Sequence, residues 1–247
     1  MSVSPTTDRI AVVIGGSGGI GAAACRRLAN TGDHIALTYF ANRDVADDVA
    51  ASIPTATAHR VVLEEVASVA ALFDSLERVD TVVYAAGPRV PQRYVSELTA
   101  PEFREAMDVE AHGFFHVVRA ALPRLRETAG TLVAVTTAGL RRHPPGDIRS
   151  TAPKAAIEAM VRAVAREEGR HGIRANCVAV GVVDAGMFPR LVAEGELTEQ
   201  WLAAAKRNIP LRRFATPDEV AEAIAFLARA PYVTGQVLHV DGGYTGT

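Results

Sequence analysis

Five of the seven residues in Gly15-Gly16-Ser17-Gly18-Gly19-Ile20-Gly21 are glycine. The β-branched run Ile10–Ile14 precedes them, and an apolar helical pattern through Ala22, Ala23, Cys25 and Leu28 follows. This reads as a strand, a tight turn and a helix N-terminus. Free N–H groups and the aligned peptide dipoles at such a terminus suit the pyrophosphate of a dinucleotide. A Cβ in the turn would block its sharp bend and hold phosphate off the N–H groups. The same glycines would also serve close packing of the strand on the helix.

A second chemical signal follows the run His34–Tyr39, which continues Phe40-Ala41-Asn42-Arg43. A dinucleotide site selective for NAD places a carboxylate there to bind the adenosine ribose, whereas this chain has none to repel a 2′-phosphate. Arg43 is the candidate at that end of the nucleotide, able to pair with the phosphate, so NADP(H) is the expected cofactor.

These residues need a scaffold. Strand-like runs recur at Ile10–Ile14, His34–Tyr39, His59–Leu63, Thr81–Ala85, Thr131–Thr136, Arg174–Val180 and Gln236–Val240, with amphipathic helical stretches between them. Such alternation predicts an α/β fold, a doubly wound parallel sheet of about seven strands with helices on both faces. Long helical patterns run over 99–127 and 152–169, with apolar stripes suited to covering the sheet. Thr216-Pro217-Asp218-Glu219 reads as an N-cap, an N1 proline and two first-turn acids. With 247 residues, 49% of them hydrophobic, and no linker or repeat, residues 1–247 are expected to form one domain.

A net charge of −2 with dispersed basic residues gives no reason to expect nucleic acid. Small-molecule partners are expected instead. The first apolar run is too short for a signal core or a membrane span, so a soluble, cytoplasmic protein is expected. Cys25 and Cys177 lie in apolar patterns and read as buried reduced thiols, and no metal site is expected.

Gly15, Gly19 and Gly21 fit G-x-x-x-G-x-G, Ala86-Gly87 ends the fourth strand-like run, and the stretch from Ile209 to Gly243 follows a matching pattern. On these motifs the chain resembles the short-chain dehydrogenase/reductase family over essentially its whole length. The resemblance implies that Gly15, Ser17, Gly18, Gly19, Ile20, Gly21, Tyr39, Arg43, Ala86, Gly87, Lys154, Gly181 and Val183 bind the cofactor. It also implies a substrate lid at 187–210 and a homodimer or homotetramer built through the two long helices. No adenine contact is assigned in Val61-Val62-Leu63-Glu64-Glu65.

The family works with Asn, Ser, Tyr and Lys. Lys154 stands in its place, but the Tyr position is Ser150, the Ser position is Thr137 and the Asn position is Glu110. Val180 and Ala185 replace a Pro and a Thr that contact the nicotinamide in the family. The lost tyrosine matters because a neighbouring ammonium can lower a phenol pKa from about 10 toward neutrality, whereas a serine hydroxyl cannot be tuned so far. Lys154, Ser150, Thr137 and Glu110 are the candidate catalytic residues, with Glu110 expected to pair with Lys154.

Three readings follow, of which an NADP-dependent reductase of an activated C=C bond is the favoured one. Thr137 and Ser150, acting only as hydrogen-bond donors, would suit reduction of an activated C=C bond, because a delocalised enolate can await a proton from water. The resemblance there is to dienoyl and enoyl thioester reductases, although the tyrosine those enzymes keep two residues past the strand-end Thr is Gly139 here. Alternatively the protein reduces a carbonyl, thioester-linked or not, with a displaced acid drawn from Tyr84, Tyr94, His143 or Glu110. The third reading is a nucleotide-binding protein without redox turnover.

Overall fold

The computed structural model describes residues 9–87, 92–186, 188, 192–193, 195 and 198–246. The β-branched runs form β1 (Ile10–Ile14), β2 (His34–Tyr39), β3 (Ala56–Arg60), β4 (Thr81–Tyr84), β5 (Thr131–Thr137), β6 (Arg174–Val180) and β7 (Val237–Val240). They make one sheet in the order β3-β2-β1-β4-β5-β6-β7. Every pairing is parallel.

Helices cover both faces: α1 (Gly19–Ala29), α2 (Arg43–Ala51), α3 (Val66–Asp74), α4 (Ala100–Ala106), α5 (Gly113–Thr128), α6 (Gly139–Arg142), α7 (Ile148–Glu168), α8 (Glu199–Arg207) and α9 (Pro217–Arg229). Because each central strand is buried on both sides, its sequence is a continuous apolar run. In β1, Val12 and Ile14 enter the core beneath α3, α5 and α7, while Ala11 and Val13 enter the core beneath α1, α2 and α9. The order reverses between β1 and β4, and a doubly wound sheet binds ligands in the crevice outside the strand ends at such a point.

Three elements differ from expectation. The third strand is expected at 59–63 from Val61-Val62-Leu63, but the ladder uses Ala56–Arg60. At Val61 the chain leaves the edge: its N–H bonds the Tyr39 carbonyl at 2.9 Å, and the Val62 N–H bonds Ser68 Oγ at 2.9 Å. The Val61 and Leu63 side chains pack inward against the helix-side core. Second, the helix expected over 99–127 is α4, a π-helical segment at Met107–His112, and α5. Third, α7 begins at Ile148, before the expected 152. The lid expected at 187–210 lies partly outside the described residues, which give α8 in its second half.

Candidate active site

The glycine turn crosses the end of β4. Gly15 has φ +78°, and a Cβ on it would stand 2.7 Å from Ala86 Cα. Its N–H donates to Thr38 Oγ1 at 3.0 Å, and the Gly18 N–H closes the turn on the Gly15 carbonyl at 3.0 Å. Gly18 caps α1 with extended backbone and no side-chain bond, so no side chain claims the first-turn donors. A Cβ on Gly19 would lie 2.6 Å from Ala185 Cβ and 2.9 Å from Gly186 N, so the segment after β6 passes over this cradle. Ser17 is half-buried at the turn and Ile20 packs toward the core. The cradle therefore has the shape a pyrophosphate requires.

Tyr39 ends β2, and its register partner is Arg60, whose guanidinium lies 5.8 Å from the Phe40 ring centre. Arg43, with 74% of its side chain exposed, pairs with Asp47 at 3.3 Å. Gly87 faces the other end of the cleft, where a Cβ would meet Glu110 Oε1 at 3.6 Å. Gly181 packs against the backbone of Asp241, and Val183 is buried where the chain bridges to Ala215.

Thr99 and Glu102 cap α4 reciprocally, and the helix widens into the π segment that carries Glu110. Glu110 is 1% exposed, and both of its carboxylate oxygens lie 2.8 Å from Lys154 Nζ. Burial pushes this carboxyl up, and the Lys154 ammonium opposes the shift. Ser150 is half-buried one helical turn before Lys154 on α7. Thr137 ends β5, and its Oγ1 accepts the Gly139 N–H at 3.1 Å.

Two of the displaced-acid candidates are exposed: Tyr94, at 61%, and His143, which ends α6 with φ +48°. Tyr84 is sealed in the core. Its hydroxyl donates to the Glu110 carbonyl at 3.2 Å, and its ring meets Phe114 edge-on with centroids 5.0 Å apart. Burial drives its phenol far above the ordinary range, with Glu110 and Glu64 adding to the shift.

Sequence reasoning missed Asp147. The helical pattern is expected only from 152, which leaves Asp147 in the loop ahead of it, whereas the structure makes it the N-cap residue of α7. Yet its side chain makes no cap bond. Its carbonyl takes the N–H groups of Ser150 and Thr151, at 3.0 and 2.9 Å, and the Thr151 hydroxyl at 3.1 Å. The carboxylate turns instead toward the end of β5: a Cβ on Gly139 would lie 3.2 Å from Asp147 Oδ2 and 3.1 Å from Thr137 Oγ1. Burial pushes the Asp147 carboxyl up to about 6; Lys154 pulls against this and Glu110 adds to it.

Residues 15–245 match the family model described as Enoyl-(Acyl carrier protein) reductase. Acetoacetyl-CoA reductase of Synechocystis sp. is 33% identical over 242 residues, spanning 96% of this chain and 96% of that protein. Cis-4-hydroxycyclohexanecarboxylate dehydrogenase of Sinomonas cyclohexanicum is 34% identical over 250 residues, spanning 96% and 97%. A solved structure described as a short chain dehydrogenase/reductase family protein superposes with a TM-score of 0.87 at 31% identity, covering 99% of this chain and 100% of its own. With the glycine cradle at the switch point of the sheet, these likenesses establish that the chain belongs to the short-chain dehydrogenase/reductase family.

Proposed function

We propose that the protein reduces the ketone carbonyl of a small acyl or cyclic substrate, thioesters included, using NADP(H). From Ser150 and Thr137 alone, C=C reduction is the leading expectation. Relatives named for an acetoacetyl thioester and a hydroxycyclohexane acid favour carbonyl chemistry instead.

The observation that carries this reading is the Lys154 ammonium, held by Glu110 beside Gly87 at the mouth of the cradle. A cation there can bind ribose hydroxyls and stabilise the charge that grows on a carbonyl oxygen. In this reading Gly15, Ser17, Gly18, Gly19, Ile20 and Gly21 hold the pyrophosphate. Tyr39 and Arg43 hold the phosphorylated ribose, and Ala86, Gly87, Lys154, Gly181 and Val183 border the nicotinamide half. Thr137 and Ser150 orient the substrate oxygen. The bound dinucleotide supplies the hydride.

NADPH oxidation by the purified protein, followed with 3-oxoacyl thioesters, cyclic ketones and matched enoyl thioesters, tests this. Ketone reduction is expected, with Lys154→Met lowering kcat/KM by roughly 10²-fold. Turnover confined to enoyl substrates would return the C=C reading. Bound NADPH with no oxidation on any panel would favour the non-redox one.

A further inference from the structure

Carbonyl reduction creates an alkoxide, which must be protonated as it forms. The hydroxyls of Thr137 and Ser150 are too weakly acidic to do this alone near neutral pH. The acid has to come from elsewhere in the cleft.

Asp147 has the position and the freedom. Its side chain leaves the capping role that its place on α7 offers, and the N–H groups of Ser150 and Thr151 are satisfied by its carbonyl. A Cβ on Gly139 would stand 3.1 Å from Thr137 Oγ1 and 3.2 Å from both Asp147 Oδ2 and Thr151 Cγ2, so the hydroxyl and the carboxylate flank one point and only a residue without a side chain fits between them. A substrate oxygen held by Thr137 would thus sit beside a carboxyl group. The group is half-buried, so water can reach it from one side.

Among the described residues, the charges around Asp147 are countable by element. Lys154 on α7 and Glu110 on the π segment both act on it. Arg149 on α7 is taken by Glu105 at 3.4 Å. Arg142 on α6 is bound to the Tyr244 carbonyl at 2.8 Å, and Arg141 and His143 beside it are exposed. Arg93, whose backbone N–H donates to the Gly146 carbonyl, directs its guanidinium to Glu102 at 3.3 Å. Lys154 and Glu110 are the charges that set its proton affinity against burial.

We propose that the Asp147 carboxyl donates the proton to the substrate carbonyl oxygen, in the role the family gives to tyrosine. This rests on the carbonyl-reduction reading above. As hydride from the reduced nicotinamide dinucleotide bonds to the carbonyl carbon, the C=O π pair moves to oxygen. That oxygen takes the proton as the Asp147 O–H bond breaks. The alcohol leaves, the dinucleotide is left oxidised, and the Asp147 carboxylate takes a proton from water.

A donor must be protonated, and a carboxyl titrating at about 6 is so in only about a tenth of molecules at pH 7. The test compares wild type, Asp147→Asn and Asp147→Glu in ketone reduction across pH, with NADPH affinity by calorimetry and folding by circular dichroism. Wild-type kcat/KM is expected to fall as pH rises above about 6. Asp147→Asn should lower kcat/KM by about 10²- to 10⁴-fold and abolish that limb without weakening NADPH binding. Asp147→Glu should keep the limb at a shifted midpoint.

Wild-type kcat/KM and an intact limb in Asp147→Asn would overturn the donor role and leave the carbonyl reading standing. A wild type that reduces no ketone would overturn both. Carbon-13 NMR of the labelled chain without substrate reads the carboxyl independently of activity, and it serves equally if Asp147→Asn fails to fold. The Asp147 carboxyl is expected to titrate near 6 and to shift downward in Glu110→Gln; titration near 4, the ordinary aspartate value, would overturn the proposal.

Discussion

Asp147 is easily ionised in the unfolded chain and harder to ionise in the folded one, because burial removes water from the carboxylate and Lys154 compensates only in part. Its folded pKa, about 6, lies above its ordinary 3.8. The native state therefore binds the proton more tightly, and the stability this confers is complete below about pH 4 and lost as pH rises through about 6. Above that window the charged carboxylate opposes folding. Asp147→Asn should consequently be more stable than wild type at pH 7.5, by about 1–2 kcal/mol once partial solvation of the group is allowed for, and equal to it near pH 4. Denaturant unfolding at the two pH values checks this, and equal stability at both would contradict it. A variant that gains stability while losing turnover is expected where a site holds a group in an unfavourable state for chemistry. None of this was legible in Gly146-Asp147-Ile148, which lies ahead of the helical pattern expected from 152; the neighbours that shift the group are brought together by the turn after β5 and by the π segment.

The π segment is the element that turns Glu110 toward Lys154. Its wider turns shift the helical phase from that of an unbroken α-helix, and Glu110 lies buried there. The Glu110 carbonyl accepts the Gly113 N–H and also the Tyr84 hydroxyl. In sequence, Met107-Asp-Val-Glu-Ala-His112 carries no glycine or proline, and the apolar spacing over 99–127 implies one unbroken helix. What was legible is local: the Thr216-Pro217-Asp218-Glu219 cap, whose side-chain bonds form as expected, and the helix starting at the glycine turn. What was not legible depends on partners from other strands. Tyr84→Phe tests the element directly. It should remove one buried hydrogen bond, costing about 0.5–1.5 kcal/mol, which for a chain of this size lowers Tm by about 2–5 °C. The descending pH limb of ketone reduction should persist in that variant. Its disappearance would make Tyr84 the acid and refute the packing role.

At the scale of the molecule, alternating runs were enough to predict the doubly wound sheet, since strands buried on both faces leave few sequences and few topologies open. The juxtapositions that make the cleft were not in any single run. The edge register β2–β3 shows this, because only the observed pairing of Tyr39 with Arg60 brings a second cation to the end of β2. That pairing bears on cofactor choice. The chain has a net charge of −2, so a general attraction for a more anionic dinucleotide is absent and any preference must be local. Arg43 is tied to Asp47 by an exposed pair, which contributes at most about 1 kcal/mol and leaves the guanidinium free to turn to a phosphate. Arg60 rests over Phe40, beside the position where β2 carries no carboxylate. NADPH is therefore expected to bind several-fold or more tightly than NADH, a difference on the order of 1 kcal/mol. Arg43→Ala and Arg60→Ala should each narrow the gap by weakening NADPH while leaving NADH nearly unchanged. Because both guanidinium groups are open to solvent, added salt should narrow it further. Calorimetry with both dinucleotides at low and high salt decides the matter: equal wild-type affinities, or an Arg43→Ala variant that loses both alike, would remove the phosphate from this end of the cleft.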